Sequence, residues 1–236
     1  MIASFILLVT IVALGAPVAL VLIPWALITG NVAPLYSAAI SIVRIALRLG
    51  RIQVRTEGLE LVPANTACIF MANHVSNLDP PALIPLIPGR TSAFLKRSLT
   101  RIPVLGYAMK LGEFIPVDRD GSKLAAVESA RMARSVIEKG LHITIFVEGT
   151  RSLDGRMQPF KKGPFHLATE TGAPCIPVSI YGSERLMAKG SLRIRSGIIH
   201  IVFHAPIDPR DHATREDLMA AVRGAIASGL PEWMRT

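Results

Sequence analysis

The sequence of 236 residues is poor in cysteine, aromatic residues and charge, and each shortage excludes a class of protein. Its two cysteines, Cys68 and Cys175, are too few for a disulfide-stapled mini-protein, and neither has a histidine at metal-ligand spacing. We therefore interpret both as small buried hydrophobic residues and expect no metal site. The sequence also lacks a Walker-type loop and a dinucleotide-binding glycine pattern, and no cofactor is expected.

Only 18% of the residues are charged, whereas 50% are apolar, and the mean hydropathy is +0.44. The apolar fraction excludes a disordered chain. The 26 basic residues outnumber the 17 acidic residues, which makes the formal charge +9. A soluble cytosolic domain is seldom both this hydrophobic and this basic, so the composition indicates a membrane-associated protein that meets an anionic partner. With aromatic residues at 6%, charge alone would support a nucleic-acid partner, and none is expected.

The N-terminal segment holds most of the apolar surplus, because no charged side chain precedes Arg44. The run from Ile2 to Thr29 exceeds the roughly 20 apolar residues that a helix needs to cross a bilayer. We predict that residues 1–50 form a membrane anchor of two helices joined at Gly30-Asn31, followed by a second domain at 51–236. A signal peptide fits poorly, since no basic residue precedes the run, and a buried hairpin is the other alternative.

Arg44, Arg48 and Arg51 close the second apolar segment. Basic residues that flank a membrane segment favour a cytoplasmic location for the chain that follows. We therefore expect a membrane-associated protein whose domain after the anchor faces the cytoplasm, at the inner membrane if the source is bacterial. Taken alone, three arginines are equally compatible with an ordinary solvated helix face.

From residue 51 onwards, short apolar stretches alternate with helical patterns, which predicts an α/β domain with a mixed, largely parallel sheet flanked by helices. The predicted strands are Ile52–Arg55, Ala67–Met71, Ser92–Leu95, Phe114–Val117, Ile143–Val147, Ile176–Ile180 and Ile198–Phe203. The predicted helices are Pro80–Leu86, Val104–Leu111, Lys123–Lys139, Pro164–Thr171 and Arg215–Ala227. The third of these helices has its predicted apolar stripe at Leu124, Val127, Ala130, Ala133 and Ile137.

Polar clusters follow several of these strands, where ligands collect in parallel sheets. In the segment from Asn73 to Asp79, His74 could act as a general base near neutral pH if Asp79 holds one nitrogen of its ring. No serine nucleophile is needed if the substrate carries its own hydroxyl. In the alternative, Asp79 only caps a helix that begins with Pro80, and His74 is an ordinary surface residue.

The segment from Glu148 to Arg151 combines a glycine turn, a hydroxyl at Thr150 and a guanidinium, the groups that commonly hold a phosphate. Glu148 and Arg151 could instead simply pair across the turn. Lys96 and Arg119 each follow a predicted strand and would add positive charge to the same pocket. Taken singly, each of these basic residues is more often a solvated surface charge.

Four ordered blocks together resemble the 1-acyl-sn-glycerol-3-phosphate acyltransferases of the glycerolipid acyltransferase superfamily. These blocks are Asn73 to Asp79, Gly112 to Arg119, Glu148 to Arg151 and Ala173 to Val178. The resemblance implies that His74 and Asp79 are catalytic, and that Arg119, Glu148, Gly149, Thr150 and Arg151 bind the glycerol phosphate. It suggests that Lys96 stabilises the thioester oxyanion or the acyl donor, with backbone NH groups near Gly149 as the competing candidates.

The reaction implied by the resemblance is acyl transfer from a thioester of acyl carrier protein or coenzyme A to the sn-2 hydroxyl of lysophosphatidic acid. The product would be phosphatidic acid, and the expected partners are membrane lipid, lysophosphatidic acid and the acyl thioester. Two alternatives remain: acylation of another lyso-lipid such as lyso-ornithine lipid, and a membrane lipid-binding protein without catalysis. Sequence does not distinguish the acceptors, because headgroup selection depends on the shape of the pocket.

Overall fold

The structure, a computed structural model, describes residues 2–117 and 123–235, without the side chain of Lys123. Its strands are β1 Ile52–Glu57, β2 Ile69–Ala72, β3 Thr91–Lys96, β4 Ile115–Val117, β5 His142–Phe146, β6 Cys175–Tyr181 and β7 Gly197–Phe203. Its helices are α1 Ile2–Thr29, α2 Ala33–Leu49, α3 Asp79–Leu83, α4 Leu105–Leu111, α5 Lys123–Glu138, α6 Gly163–Thr171, α7 Ser183–Leu186 and α8 Arg215–Ser228. Short 3₁₀ turns lie at Leu59–Leu61, Ile84–Leu86, Arg97–Arg101, Pro209–Asp211 and Glu232–Met234.

The seven strands form one sheet in the order β1-β7-β6-β2-β5-β3-β4. The five strands β6, β2, β5, β3 and β4 run parallel to one another, and β7 pairs antiparallel with β6 and parallel with β1. The predicted mixed, largely parallel sheet is therefore confirmed. Each predicted strand overlaps one of the seven described strands.

The centre of the sheet is covered on both faces, which explains why β2 is apolar throughout. Ile69 and Met71 join the core cluster that also contains residues of α5, α6 and α8. Phe70 and Ala72 point the other way, into a cluster that contains residues of α2 and α3. Cys68 and Cys175 are buried free thiols, and burial raises their pKa values to about 11 and about 12. These are the small buried residues that the sequence indicated.

The two N-terminal helices form, but they differ in character. Helix α1 runs without a break through Pro17 and Pro24 and is, among the described helices, the one long and apolar enough to cross a membrane. Only 17% of its most apolar window is buried, whereas α2 buries Leu35, Ile42, Ala46 and Leu47, the last two in the core cluster that contains Ile52 of β1. The predicted pair of membrane helices is thereby corrected to one candidate membrane helix, because the apolar face of α2 is already occupied by the core. The proposed boundary at residue 50 remains a prediction.

Two other details differ from the sequence-based expectation. Leu124 and Val127 of α5 are 84% and 67% exposed, and the helix instead buries Ser129, Ala133 and Val136. The predicted stripe was therefore wrong for the first turns of α5, because the core cluster reaches only the later part of the helix. Helix α7, a single turn after β6, was not predicted.

Candidate active site

The parallel strands bring the predicted polar segments to one edge of the sheet. β2 lies between β5 and β6, and β3 lies on the far side of β5, so the chain leaves all four strands at that edge. The segment containing His74 follows β2, the segment containing Glu148 follows β5, Lys96 ends β3, and Ser183 comes after β6. Arg119 follows β4 in the sequence and lies outside the described residues.

His74 and Asp79 are in direct contact. The Nδ1 atom of His74 lies 2.8 Å from Oδ2 of Asp79, and the two side chains are 13% and 0% exposed. The imidazole stacks on the ring of Phe146, with 4.1 Å between ring centroids. Because the carboxylate accepts the proton on Nδ1, the lone pair of His74 is placed on Nε2, the nitrogen available to a substrate.

The Asp79 carboxylate is held by three further donors. The backbone NH groups of Val75 and Ser76 each donate to Oδ2 over 2.8 Å, and the Ser183 hydroxyl donates to Oδ1. These NH groups precede Asp79 in the chain, so the carboxylate does not cap helix α3, which begins at Asp79 without a side-chain cap. The alternative of a purely helix-capping aspartate is therefore not what the structure shows.

The buried carboxylate of Glu148 links the segment that contains His74 to the segment that contains Gln158. Its Oε1 accepts the backbone NH of His74 over 3.0 Å, and its Oε2 accepts the backbone NH of Gln158 over 3.2 Å. The residue is 1% exposed, and burial raises the pKa of the carboxyl to about 7, opposed by these two NH donors. Both oxygens are thus engaged with the backbone, an arrangement that positions His74 and that residue spacing did not reveal.

Two more polar contacts set the end of β2 against its neighbours. The side-chain amide of Asn73 donates to the carbonyl of Ile180 and accepts the NH of the same residue, at 2.8 and 2.7 Å. The NH of Ser152 donates to the carbonyl of His74 over 2.8 Å. The backbone on both sides of the His74 ring is therefore tied to β6 and to the turn after β5. Sequence reasoning assigned no role to Asn73, although its place beside the histidine was a signal.

The turn from Gly149 to Arg151 has a glycine where another group comes close to the backbone. Gly149 has a φ of +70°, and its NH donates to the carbonyl of Phe146 over 3.0 Å, so this NH closes the turn. A Cβ at Gly149 would lie 3.2 Å from the Lys161 side chain. Thr150 is exposed. Arg151 is half-buried, and its Nη1 atom is buried without a hydrogen-bond partner among the described residues, which leaves a donor for an anionic group.

Lys96 is exposed at the end of β3 and pairs in register with Val117, the last residue of β4. It therefore lies at the same edge as His74, but in the described part of the chain no hydrogen bond joins it to the other candidate residues. The structure thus joins His74, Asp79 and Glu148 through hydrogen bonds and adds Ser183, which no local pattern in the sequence indicated. Ser183 lies 104 positions after Asp79.

Comparisons with known proteins agree with this architecture. The acyltransferase family model matches residues 53–181, which include both turns of the candidate site. The chain is 34% identical over 178 residues to the chloroplastic 1-acyl-sn-glycerol-3-phosphate acyltransferase BAT2 of Brassica napus, covering 74% of this chain and 50% of that protein. It spans about half the length of this and several other curated relatives that it matches.

Two further comparisons cover a larger share of both compared proteins. A 1-acyl-sn-glycerol-3-phosphate acyltransferase of Limnanthes douglasii is 32% identical over 229 residues, covering 96% of this chain and 79% of that protein. The crystal structure of the 1-acyl-sn-glycerophosphate acyltransferase PlsC from Thermotoga maritima superposes with a TM-score of 0.82 at 25% identity, covering 98% of this chain and 95% of PlsC. The chain therefore belongs to the acyltransferase family, among the 1-acyl-sn-glycerol-3-phosphate acyltransferases.

Proposed function

We propose that the chain transfers an acyl group from an acyl thioester to the sn-2 hydroxyl of 1-acyl-glycerol-3-phosphate, which yields phosphatidic acid. The observation that carries this proposal is the buried Asp79 carboxylate, which holds Nδ1 of His74 and leaves Nε2 of the ring to a substrate hydroxyl. The relatives of this chain act by name on the same acceptor.

The reaction needs one side chain that accepts and returns a proton, and it needs no covalent acyl-enzyme intermediate. Nε2 of His74 takes the proton of the lipid hydroxyl as its oxygen attacks the carbonyl carbon of the thioester. The tetrahedral intermediate then collapses, the carbon–sulfur bond breaks, and the imidazolium returns its proton to the thiolate leaving group. Asp79 stabilises the transient positive charge on the ring, as an aspartate does for the histidine of serine hydrolases.

The remaining site residues divide into two roles. Arg151, whose buried Nη1 has no hydrogen-bond partner in the part of the chain that the structure describes, binds the phosphate of the acceptor together with Thr150 and the exposed side of the Gly149 turn. Lys96 adds positive charge from the end of β3, and we assign the same role to Arg119 from its place after β4 in the sequence alone. Glu148, which the sequence indicated as a substrate ligand, holds the backbone of His74 in our proposal.

The acyl donor is a thioester of acyl carrier protein or coenzyme A, both of which are anionic and complement a chain of charge +9. Helix α1 anchors the enzyme in the membrane, and the site faces the cytoplasm, where Arg44, Arg48 and Arg51 meet the anionic leaflet. The bilayer then supplies the lyso-lipid and receives the product.

The test is a panel of acceptors with both donors, using the purified full chain in detergent micelles. We expect labelled acyl groups to appear on lysophosphatidic acid, and His74→Ala to reduce kcat by at least about a thousandfold. His166→Ala, an exposed histidine on α6, serves as the matched control and should retain activity. Preference for lyso-ornithine lipid would overturn the acceptor assignment, and lipid binding without turnover would overturn the enzymatic proposal.

A further inference from the structure

A second concave region lies between helix α2, strand β1 and the 3₁₀ turn Ile84–Leu86. It is a cavity of about 700 Å³, within the range of about 300 to 1,000 Å³ that is typical of ligand sites. The candidate active-site residues His74, Asp79 and those of the turn at 148–151 do not line it. Acyl transfer as proposed above makes no use of this cavity.

The cavity concentrates positive charge. Arg44 and Arg48 contribute from successive turns of α2, Arg51 from the connection to the sheet, and Arg55 from β1. Among the residues that the structure describes, no aspartate or glutamate lines it. The Arg44 guanidinium donates to the carbonyl of Pro85, whereas the other three guanidinium groups form no ion pair in the described part of the chain. Guanidinium groups gathered without a counter-ion suit phosphate oxygens, which accept two parallel hydrogen bonds from each.

The walls between these arginines are apolar. Leu47 of α2, Ile52 and Val54 of β1, and Leu86 of the 3₁₀ turn line the same cavity. A small inorganic anion has no use for such walls, because its favourable contacts are all polar. A phosphate attached to hydrocarbon can use both kinds of surface. The lining therefore matches an anionic amphiphile better than a free ion.

The backbone conformation of Arg51 also supports a ligand-binding role for this cavity. Its φ is +53°, in the left-handed region, where a residue with a Cβ is disfavoured relative to glycine. Such conformations tend to persist where the residue has a role beyond folding. Glycine would serve the turn between α2 and β1 better, yet an arginine occupies it and lines the cavity.

The cavity also lies next to the candidate membrane helix. Leu7 of α1 packs in one cluster with Ala46 and Leu47 of α2 and Ile52 of β1, two of which line the cavity. A lipid at the bilayer surface therefore reaches the cavity without leaving the surroundings of α1. We propose that this cavity binds the phosphate headgroup of an anionic phospholipid, whose first methylene groups contact the apolar walls. The proposal goes beyond acyl transfer and does not depend on it.

The test measures binding of fluorescently labelled phosphatidylglycerol to the full chain in nonionic detergent micelles. The triple variant Arg48→Gln, Arg51→Gln, Arg55→Gln should weaken binding at least about tenfold, because it removes the charged donors. The matched control is the triple variant Arg131→Gln, Arg134→Gln, Arg210→Gln. It removes the same charge from exposed ion pairs with Glu128, Glu170 and Asp208, and should change affinity less than about twofold.

A single variant separates a binding role from a folding role. Arg51→Gly relieves the left-handed backbone conformation, so its melting temperature should equal or exceed that of the parent chain while its lipid affinity falls. A variant that lost stability and affinity together would contradict the proposed role of Arg51. The cavity triple variant should retain acyl transfer to lysophosphatidic acid in micelles, so failure of this inference is distinguishable from failure of the proposed function.

Competitors identify the source of the phosphate group. Short-chain phosphatidic acid should displace the labelled lipid at far lower concentration than sn-glycerol 3-phosphate or inorganic phosphate. Equal potency of the soluble phosphates would overturn the lipid assignment in favour of a free phosphate site. Equal weakening by both triple variants would show diffuse charge attraction instead of a site, and displacement by acyl carrier protein would show that an acidic protein docks there.

Discussion

Ser183 offers the sharpest test of the candidate active site, because it touches the reaction only through Asp79. Its hydroxyl donates to Oδ1 of Asp79, whereas the three other donors meet Oδ2. Ser183→Ala therefore removes the donor of one oxygen and leaves the other oxygen unchanged. Since Asp79 is fully buried, water does not replace the lost donor without movement of the chain.

The size of the effect follows from that geometry. A hydrogen bond to a charged group contributes about 1.5–3 kcal/mol, so the variant should lose stability in this range. If the whole energy were expressed in the transition state, kcat would fall about 10- to 150-fold. Relaxation of the carboxylate offsets a part of the lost energy, so we expect kcat to fall roughly tenfold. KM should change little because Ser183 does not contact substrate.

The assay compares kcat, KM and melting temperature with those of Ser179→Ala. Ser179 is also fully buried on β6, but its hydroxyl donates to the carbonyl of Ile226 and contacts Nε2 of His204. Both variants should lose similar stability, and only Ser183→Ala should lose kcat. A kcat within about twofold of the parent chain for Ser183→Ala, or an equal loss for Ser179→Ala, would refute the assignment of Ser183 as a positioning residue.

Three further perturbations test the neighbouring groups. Burial raises the pKa of Glu148 from its ordinary 4.5 to about 7, so the folded state holds this proton more tightly than the unfolded chain. The stabilisation that protonated Glu148 gives to the folded state is greatest below about pH 4.5 and is lost as the pH rises through about 7, by up to about 3 kcal/mol. Glu148→Gln should therefore make the melting temperature depend less steeply on pH over this range. Gly149→Ala should lower the melting temperature more than Gly140→Ala, since both have positive φ but only the first new Cβ meets Lys161; equal losses would exclude that contact as the cause. Arg151→Lys should raise KM for lysophosphatidic acid about tenfold with kcat changed far less, because lysine lacks the planar pair of donors; an unchanged KM would exclude Arg151 from phosphate binding.

The local parts of this protein could be predicted from sequence because they depend on residues close together in the chain. His74 and Asp79 are separated by one turn after a strand, so their spacing alone brought them within reach. Most of the seven strands were predictable because they are short stretches rich in apolar residues, whereas β1 alternates apolar and polar residues. The resemblance of the four motif blocks to a known family was visible for the same reason.

Contacts between distant segments could not be read in this way. Glu148 accepts the NH of a residue 74 positions away, and Ser183 meets a carboxylate 104 positions away. Both contacts exist only because β2 lies between β5 and β6, and strand order is decided by how helices cover the two faces of the sheet. Tertiary packing also overrode periodicity in α5, where Leu124 remains exposed although it falls on the apolar stripe.

By itself, then, the sequence determined the alternation of strands and helices, the apolar character of α1 and the pairing of His74 with Asp79. The tertiary structure decided which further groups hold that pair, and it placed Ala82, Pro85 and Leu86 beside the arginines of residues 44–55 to form one cavity. The physical reason is the range of the interactions. Helix and turn formation respond to residues within a few positions, whereas the burial of a carboxylate or the closure of a cavity depends on segments that meet only when the chain has folded.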